Sequence, residues 1–212
     1  MNDEAKRNDD AMRNEATSGE ESSHGDTVLV VIDVQTGFED AAYWGSGMPN
    51  DAVNHVSRLL ADWAARDRGP VVVVRHDSRD PASPLHPSGP GNALVPAVAD
   101  AAADLLVVKH VNSAFLGEPS LDVWLRGAGL SRLVLCGIQT NMCVETTARM
   151  GGNLGYDVTV VLDATTTFDL VADVPGLGRT HVPAAELART TAVNLAAGGF
   201  ARVSDTASVL AE

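Results

Sequence analysis

Six short apolar runs rich in β-branched residues punctuate the chain, at Val28 to Ile32, Val71 to Val74, Leu105 to Val108, Arg132 to Ile138, Val158 to Leu162 and Phe200 to Val203. They are almost continuously apolar instead of alternating, the pattern of strands covered on both faces. Helical stretches lie between them. Within Asn50 to Arg68, the residues Val53, Val56, Leu59, Leu60 and Trp63 share one face of a helical period, and Asn50 is placed to cap it. Leu121 to Arg126 follows Ser120, Asn141 to Leu154 closes on Gly155, and Ala184 to Ala197 runs between Pro183 and Gly198. Strands alternating with helices build a parallel sheet wrapped on both sides. The expected fold class is therefore α/β, a three-layer sandwich.

A chain of 212 residues that is 45% hydrophobic suits a single domain with a real core. Met1 to Asp26 has almost no apolar side chains to offset the entropy of ordering, so residues 1–26 are expected to be a disordered tail and residues 27–212 the domain. With 15 basic against 28 acidic residues the net charge is -13, which repels phosphate backbones and anionic lipid heads. Nucleic acid and membrane are thus not expected as partners, although the acidity also serves plain solubility. No apolar run approaches the roughly 20 residues of a membrane span, and the N-terminal stretch is unlike a signal peptide. Two cysteines without a disulfide-rich pattern fit a reducing cytoplasm. The Pro- and Gly-rich segment Asp77 to Pro96 is long enough to be a lid or an interface.

In an open α/β sheet, ligands bind beyond the carboxyl ends of the strands, so polar residues that end apolar runs carry the chemistry. Asp33 ends VLVVI, Lys109 ends LLVV, and Cys143 follows RLVLCGI by five residues at the expected start of a helix. Taken singly, the first two read as a turn carboxylate and a solvated strand end. Together the three form an acyl-transfer set of nucleophile, proton carrier and cation. A helix N-terminus and a nearby ammonium both favour the thiolate form of Cys143, which Asp33 is expected to reach by taking the proton. Cys136, inside a strand, reads as a buried hydrophobe. Among the histidines, His24 falls in the tail, His55 is mid-helix and His110 points away from Lys109. His76 and His86 could share a metal with Asp77, but no close ligand spacing supports it, and hydrogen-bonding or substrate roles are expected instead. The turns at Gly45 to Gly47 and Gly151-Gly152 match no phosphate-binding fingerprint.

Asp33-Val34-Gln35-Thr36-Gly37-Phe38, Lys109 within VVKHVNSAF, and Gly137-Ile138-Gln139-Thr140-Asn141-Met142-Cys143-Val144 appear in that order, and from Thr27 onward the chain resembles the isochorismatase-like cysteine hydrolase superfamily. That superfamily includes nicotinamidases, N-carbamoylsarcosine amidases and streptothricin hydrolase. The resemblance implies a six-stranded parallel sheet and a catalytic triad of Asp33, Lys109 and Cys143. It also implies a cis peptide between Ile138 and Gln139, an oxyanion hole from the backbone N–H groups of Gln139 and Cys143, and a homodimer or homotetramer. Gln35, Phe38, Trp44 and Phe115 are expected against the substrate, with core packing an equal reading for the aromatic residues.

The departures narrow this further. Nicotinamidases carry Asp-x-His after the second strand to hold a metal, where this chain has Asp77-Ser78-Arg79. A protonated guanidinium cannot ligate a metal, so the metal-free branch is favoured and neither metal nor other cofactor is expected. True isochorismatases cleave a vinyl ether and lack the cysteine. The expected activity is hydrolysis of a small-molecule amide, cyclic amide or carbamoyl compound through a thioester. The alternatives are an idle member that binds a ligand or partner, and a nicotinamidase-like metal-assisted amidase.

Overall fold

The computed structural model describes residues 26–48 and 50–212, so the expected tail lies, but for Asp26, outside the described residues. The strands are β1 (Thr27–Ile32), β2 (Val71–His76), β3 (Leu105–Lys109), β4 (Arg132–Ile138), β5 (Asp157–Thr166), β6 (Leu170–Val174), β7 (Gly178–Val182) and β8 (Arg202–Ser204). Six of them form one parallel sheet in the order β3-β2-β1-β4-β5-β8. The helices are α1 (Ala41–Trp44), α2 (Ala52–Arg66), α3 (Pro96–Ala99), α4 (Leu121–Gly127), α5 (Glu145–Asn153), α6 (Ala184–Ala197) and α7 (Thr206–Ala211).

Successive side chains of a strand point to opposite faces, and β1 shows both faces being used. Val28, Val30 and Ile32 pack with Leu121 and Leu125 of α4, Ala148 of α5 and Leu195 of α6. Leu29 and Val31 pack with Val56, Leu59, Leu60 and Trp63 of α2, Val98 of α3 and Val209 of α7. This is the three-layer α/β sandwich with a six-stranded parallel sheet. Burying both faces is what demands an unbroken apolar run.

Chain order reverses between β1 and β4, where Thr27 to Ile32 pair in register with Arg132 to Gly137. Here the two backbones approach so closely that Gly137 has a φ of +124°, and a Cβ on it would stand 2.0 Å from the Ile32 carbonyl oxygen. Only glycine fits, and the close approach fixes where the chain leaves β4.

Three local expectations are corrected. Asn50 does not cap α2: its amide donates to the Thr165 carbonyl at 2.6 Å, and Asp51 takes the N-cap position. Val53 is 38% exposed instead of core-facing. The expected helix from Asn141 opens as a π-turn over Thr140–Val144, and α5 begins only at Glu145. The structure also adds an antiparallel hairpin of β6 and β7 that no apolar run announces, because most of its side chains face solvent.

Candidate active site

Asp33 is the first residue beyond β1, and its N–H donates to the Val74 carbonyl at 2.9 Å. Its φ of +52° is a left-handed conformation that aspartate tolerates better than most residues. That turn drives the carboxylate inward, where it is fully buried. Lys109, the last residue of β3, reaches past the end of β2 and is equally buried. Its Nζ donates to Asp33 Oδ2 at 2.6 Å, His76 Nδ1 at 3.0 Å and Cys143 Sγ at 3.2 Å. An ammonium has three N–H groups, and all three are spoken for. Cys143 sits in the π-turn after β4, 7% exposed, with Asn112 Oδ1 3.8 Å from its sulfur. The peptide between Ile138 and Gln139, at the entry to that turn, is cis.

The electrostatics differ from a resting ion pair of thiolate and ammonium. Burial, and next the charge of Asp33, push the Cys143 thiol up to about 12 against the pull of Lys109. The expected pull of dipole and ammonium toward thiolate is outweighed: α5 starts two residues later, and desolvation dominates. Burial also raises the Asp33 carboxyl, with Lys109 opposing, which makes it the stronger proton acceptor. Oδ1 of Asp33 has no hydrogen-bond partner, although it is buried. Cys136 is fully buried, its thiol pushed up by burial alone and directed at the Val30 carbonyl 3.9 Å away.

His76, for which a hydrogen-bonding or substrate role is expected, joins the cluster through Lys109. It closes β2, just as Asp33 follows β1 and Lys109 closes β3, so the rule that found those two also points to it. Because Nδ1 faces the ammonium it must accept, which leaves the ring neutral with its proton on Nε2. Burial and then the Lys109 charge lower this imidazole to about 4. Between about pH 6.5 and about pH 4 the unfolded chain therefore binds a proton that the folded chain refuses, and stability falls as pH drops through that window. With partial solvent exposure allowed for, the loss is on the order of 2 kcal/mol. Urea unfolding near pH 7 and near pH 4.5 should show His76→Asn losing less stability than the parent by about that amount.

The ligand atoms of Asp33, His76 and Cys143 lie within 4.8 Å of one another, a donor set that could hold a metal ion. Those same groups already surround the Lys109 ammonium. Asp77 is engaged by Arg75 at 2.8 and 3.1 Å and by the Asn92 amide at 2.9 Å. His86 pairs with Ser88 at 2.8 Å in a separate depression with Pro84 and Pro90. The structure does not gather His76, His86 and Asp77 into one ligand shell.

Asp33, His76 and Cys143 open onto a cavity of about 610 Å³, a size suited to a small molecule. Phe38, Tyr43, Trp44 and Phe168 line one side as an aromatic cluster, and Asp169 and Leu170 line it beside them. Ser78, Asp80, Ser83 and Leu85 from the Pro-rich loop close another side, and Gln139 and Met142 flank the sulfur. Gln35, expected against substrate, does not line it. Its amide donates to the His76 and Asn92 carbonyls at 3.0 and 2.9 Å and accepts from the His76 N–H at 2.9 Å, holding the end of β2 in place. Phe115 does not line it either: it is stacked on Tyr156 at 5.4 Å inside the core.

A doubly wound sheet holds a buried thiol, carboxylate and ammonium at its switch point, the place where α/β proteins of this class carry a ligand site on their strand ends. The Isochorismatase domain family matches residues 27–208, and the chain belongs to that family. It is 35% identical over 143 residues to the isochorismatase family protein YrdC of Bacillus subtilis, covering 67% of this chain and 74% of that one. Streptothricin hydrolase of Streptomyces noursei is 34% identical over 161 residues, 76% of this chain and 62% of its own length. An isochorismatase-family crystal structure from Chromobacterium violaceum superposes with a TM-score of 0.78 at 34% identity, covering 90% of this chain and 94% of that one.

Proposed function

We propose that this isochorismatase-family hydrolase cleaves the C–N bond of a small non-peptide amide through a thioester on Cys143. The observation that carries this is the Lys109 ammonium bridging Asp33 and Cys143 at the floor of a ligand-sized cavity. Asp33 takes the Sγ proton as the sulfur attacks the carbonyl carbon. The resulting oxyanion is held by the N–H groups of Gln139 and Cys143. Collapse breaks the C–N bond, Asp33 returns the proton to the leaving amine, and a thioester remains. Water deprotonated by Asp33 then attacks the thioester, releasing the acid and restoring the thiol. Lys109 stays protonated throughout, balancing Asp33 and the developing thiolate. Because the resting sulfur is a thiol, proton removal and attack must be coupled.

The sign of the Asp33 shift sets the pH profile. Below its raised value the carboxyl is protonated and cannot accept the thiol proton, so activity is lost as pH falls through that value. The acid limb of kcat/KM is expected above the ordinary carboxylate range. A panel of primary amides, lactams and carbamoyl compounds, assayed for amine or ammonia release with mass detection of an acyl adduct on Cys143, tests the reading. Turnover without any adduct under rapid quench would count against the thioester.

Among the described residues no helix is long and apolar enough to cross a membrane. We propose a reducing, cytoplasmic setting, which the two free thiols suit. We propose a homodimer or homotetramer in which a second copy covers the exposed apolar side chains Leu106, Leu116 and Val123, a count that light scattering checks.

A further inference from the structure

The cavity above Cys143 is lopsided in charge. Among the described residues that line it, the acids are Asp33, Asp80 and Asp169, and there is no Lys or Arg. The Lys109 ammonium beneath has already given its three N–H groups to Asp33, His76 and Cys143. Arg79, beside Asp80, is exposed and stands outside the lining. A substrate carboxylate or phosphate would therefore be desolvated here without a cationic partner.

The opposite charge is provided for. Phe38, Trp44 and Phe168 form a shelf, with Phe38 and Trp44 centroids 4.8 Å apart and Trp44 and Phe168 stacked at 5.4 Å. Aromatic faces attract cations. Asp169, at the foot of the β6-β7 hairpin, is fixed by the Ala184 N–H at 2.8 Å and the His181 ring at 3.0 Å, which hold its carboxyl below the usual value. Asp80 is oriented by the Ala82 N–H at 2.9 Å. At the floor, Asp33, whose buried Oδ1 is without a hydrogen-bond partner, lines the same space.

We propose, on the basis of the hydrolase reading above, that the substrate is an amide bearing a cationic ammonium or guanidinium group, seated between the Phe38, Trp44 and Phe168 shelf and the carboxylates of Asp80 and Asp169. The net charge of -13 would also draw such a molecule to the protein.

Three length-matched probes test it: hexanamide, its ω-ammonium derivative and its ω-carboxylate derivative. Calorimetric titration of the full chain carrying Cys143→Ala separates binding from turnover. The ammonium probe is expected to bind at least about tenfold more tightly than the carboxylate probe. Raised salt or Asp80→Asn, which keeps the acceptor for Ala82, should narrow that ratio several-fold. Equal binding of the three, or preference for the carboxylate, overturns the cationic assignment. The hydrolase reading is judged separately, by an acyl adduct on Cys143 of the unmodified chain with any of the three.

Discussion

Cys143→Ala is expected to lower kcat by at least about four orders of magnitude while Cys136→Ala stays within a few-fold of the parent. Removing a covalent nucleophile removes the reaction path itself, and residual rates come from binding and the oxyanion donors alone. The two thiols make a matched pair. Both are buried, and burial pushes both upward. What separates them is company: Cys143 has the Lys109 ammonium at 3.2 Å and the Asp33 carboxylate within reach, whereas Cys136 faces only a backbone carbonyl. Neither change should unfold the domain, since each trims one buried atom at a cost of about 1–2 kcal/mol. Steady-state rates with circular dichroism at matched concentration decide it. Comparable loss in both variants with folding intact would reject the nucleophile assignment.

Gly137→Ala should be the most damaging single change to the fold. The added methyl would stand 2.0 Å from the Ile32 carbonyl oxygen and 2.8 Å from its nitrogen, both backbone atoms of the central strand. At a φ of +124° the new side chain is strained regardless of space. Neither β1 nor β4 can retreat, because each is paired on both sides and packed on both faces. The cost is expected to exceed about 4 kcal/mol, a large part of the 5–15 kcal/mol that holds a typical domain. Insoluble expression or loss of a cooperative urea transition is the expected result, and a variant within about 1 kcal/mol of the parent would show that the strands can separate there.

The α/β class and the sheet could be read from the sequence because both-face burial forces unbroken apolar runs, a one-dimensional signal. Asp33 and Lys109 were readable because they interrupt that signal at the carboxyl edge. His76 ends VVVVR in a similar way, but its meaning depends on lying between them, which only the strand order reveals. Gln35 illustrates the converse. It shares a motif with Asp33, yet the unpaired backbone groups at the end of β2 claim its amide. The β6-β7 hairpin escaped because Leu170 to Val174 and Gly178 to Val182 are mostly exposed and leave no apolar stripe. The ionisation of Cys143 turned on how much water reaches the sulfur, a quantity that residue spacing does not carry.

Asp33, Lys109 and Cys143 reach one another across separations of 76 and 34 residues, from the ends of strands that touch only when the whole sheet is in order. No short segment of the chain carries them. Before β1, β2, β3 and β4 have lined up, the thiol has neither proton acceptor nor cation beside it and reacts as any cysteine in an unfolded chain would. On the proposed mechanism, catalytic competence therefore serves as a reporter of the global transition, so heat inactivation and cooperative melting should coincide on one curve.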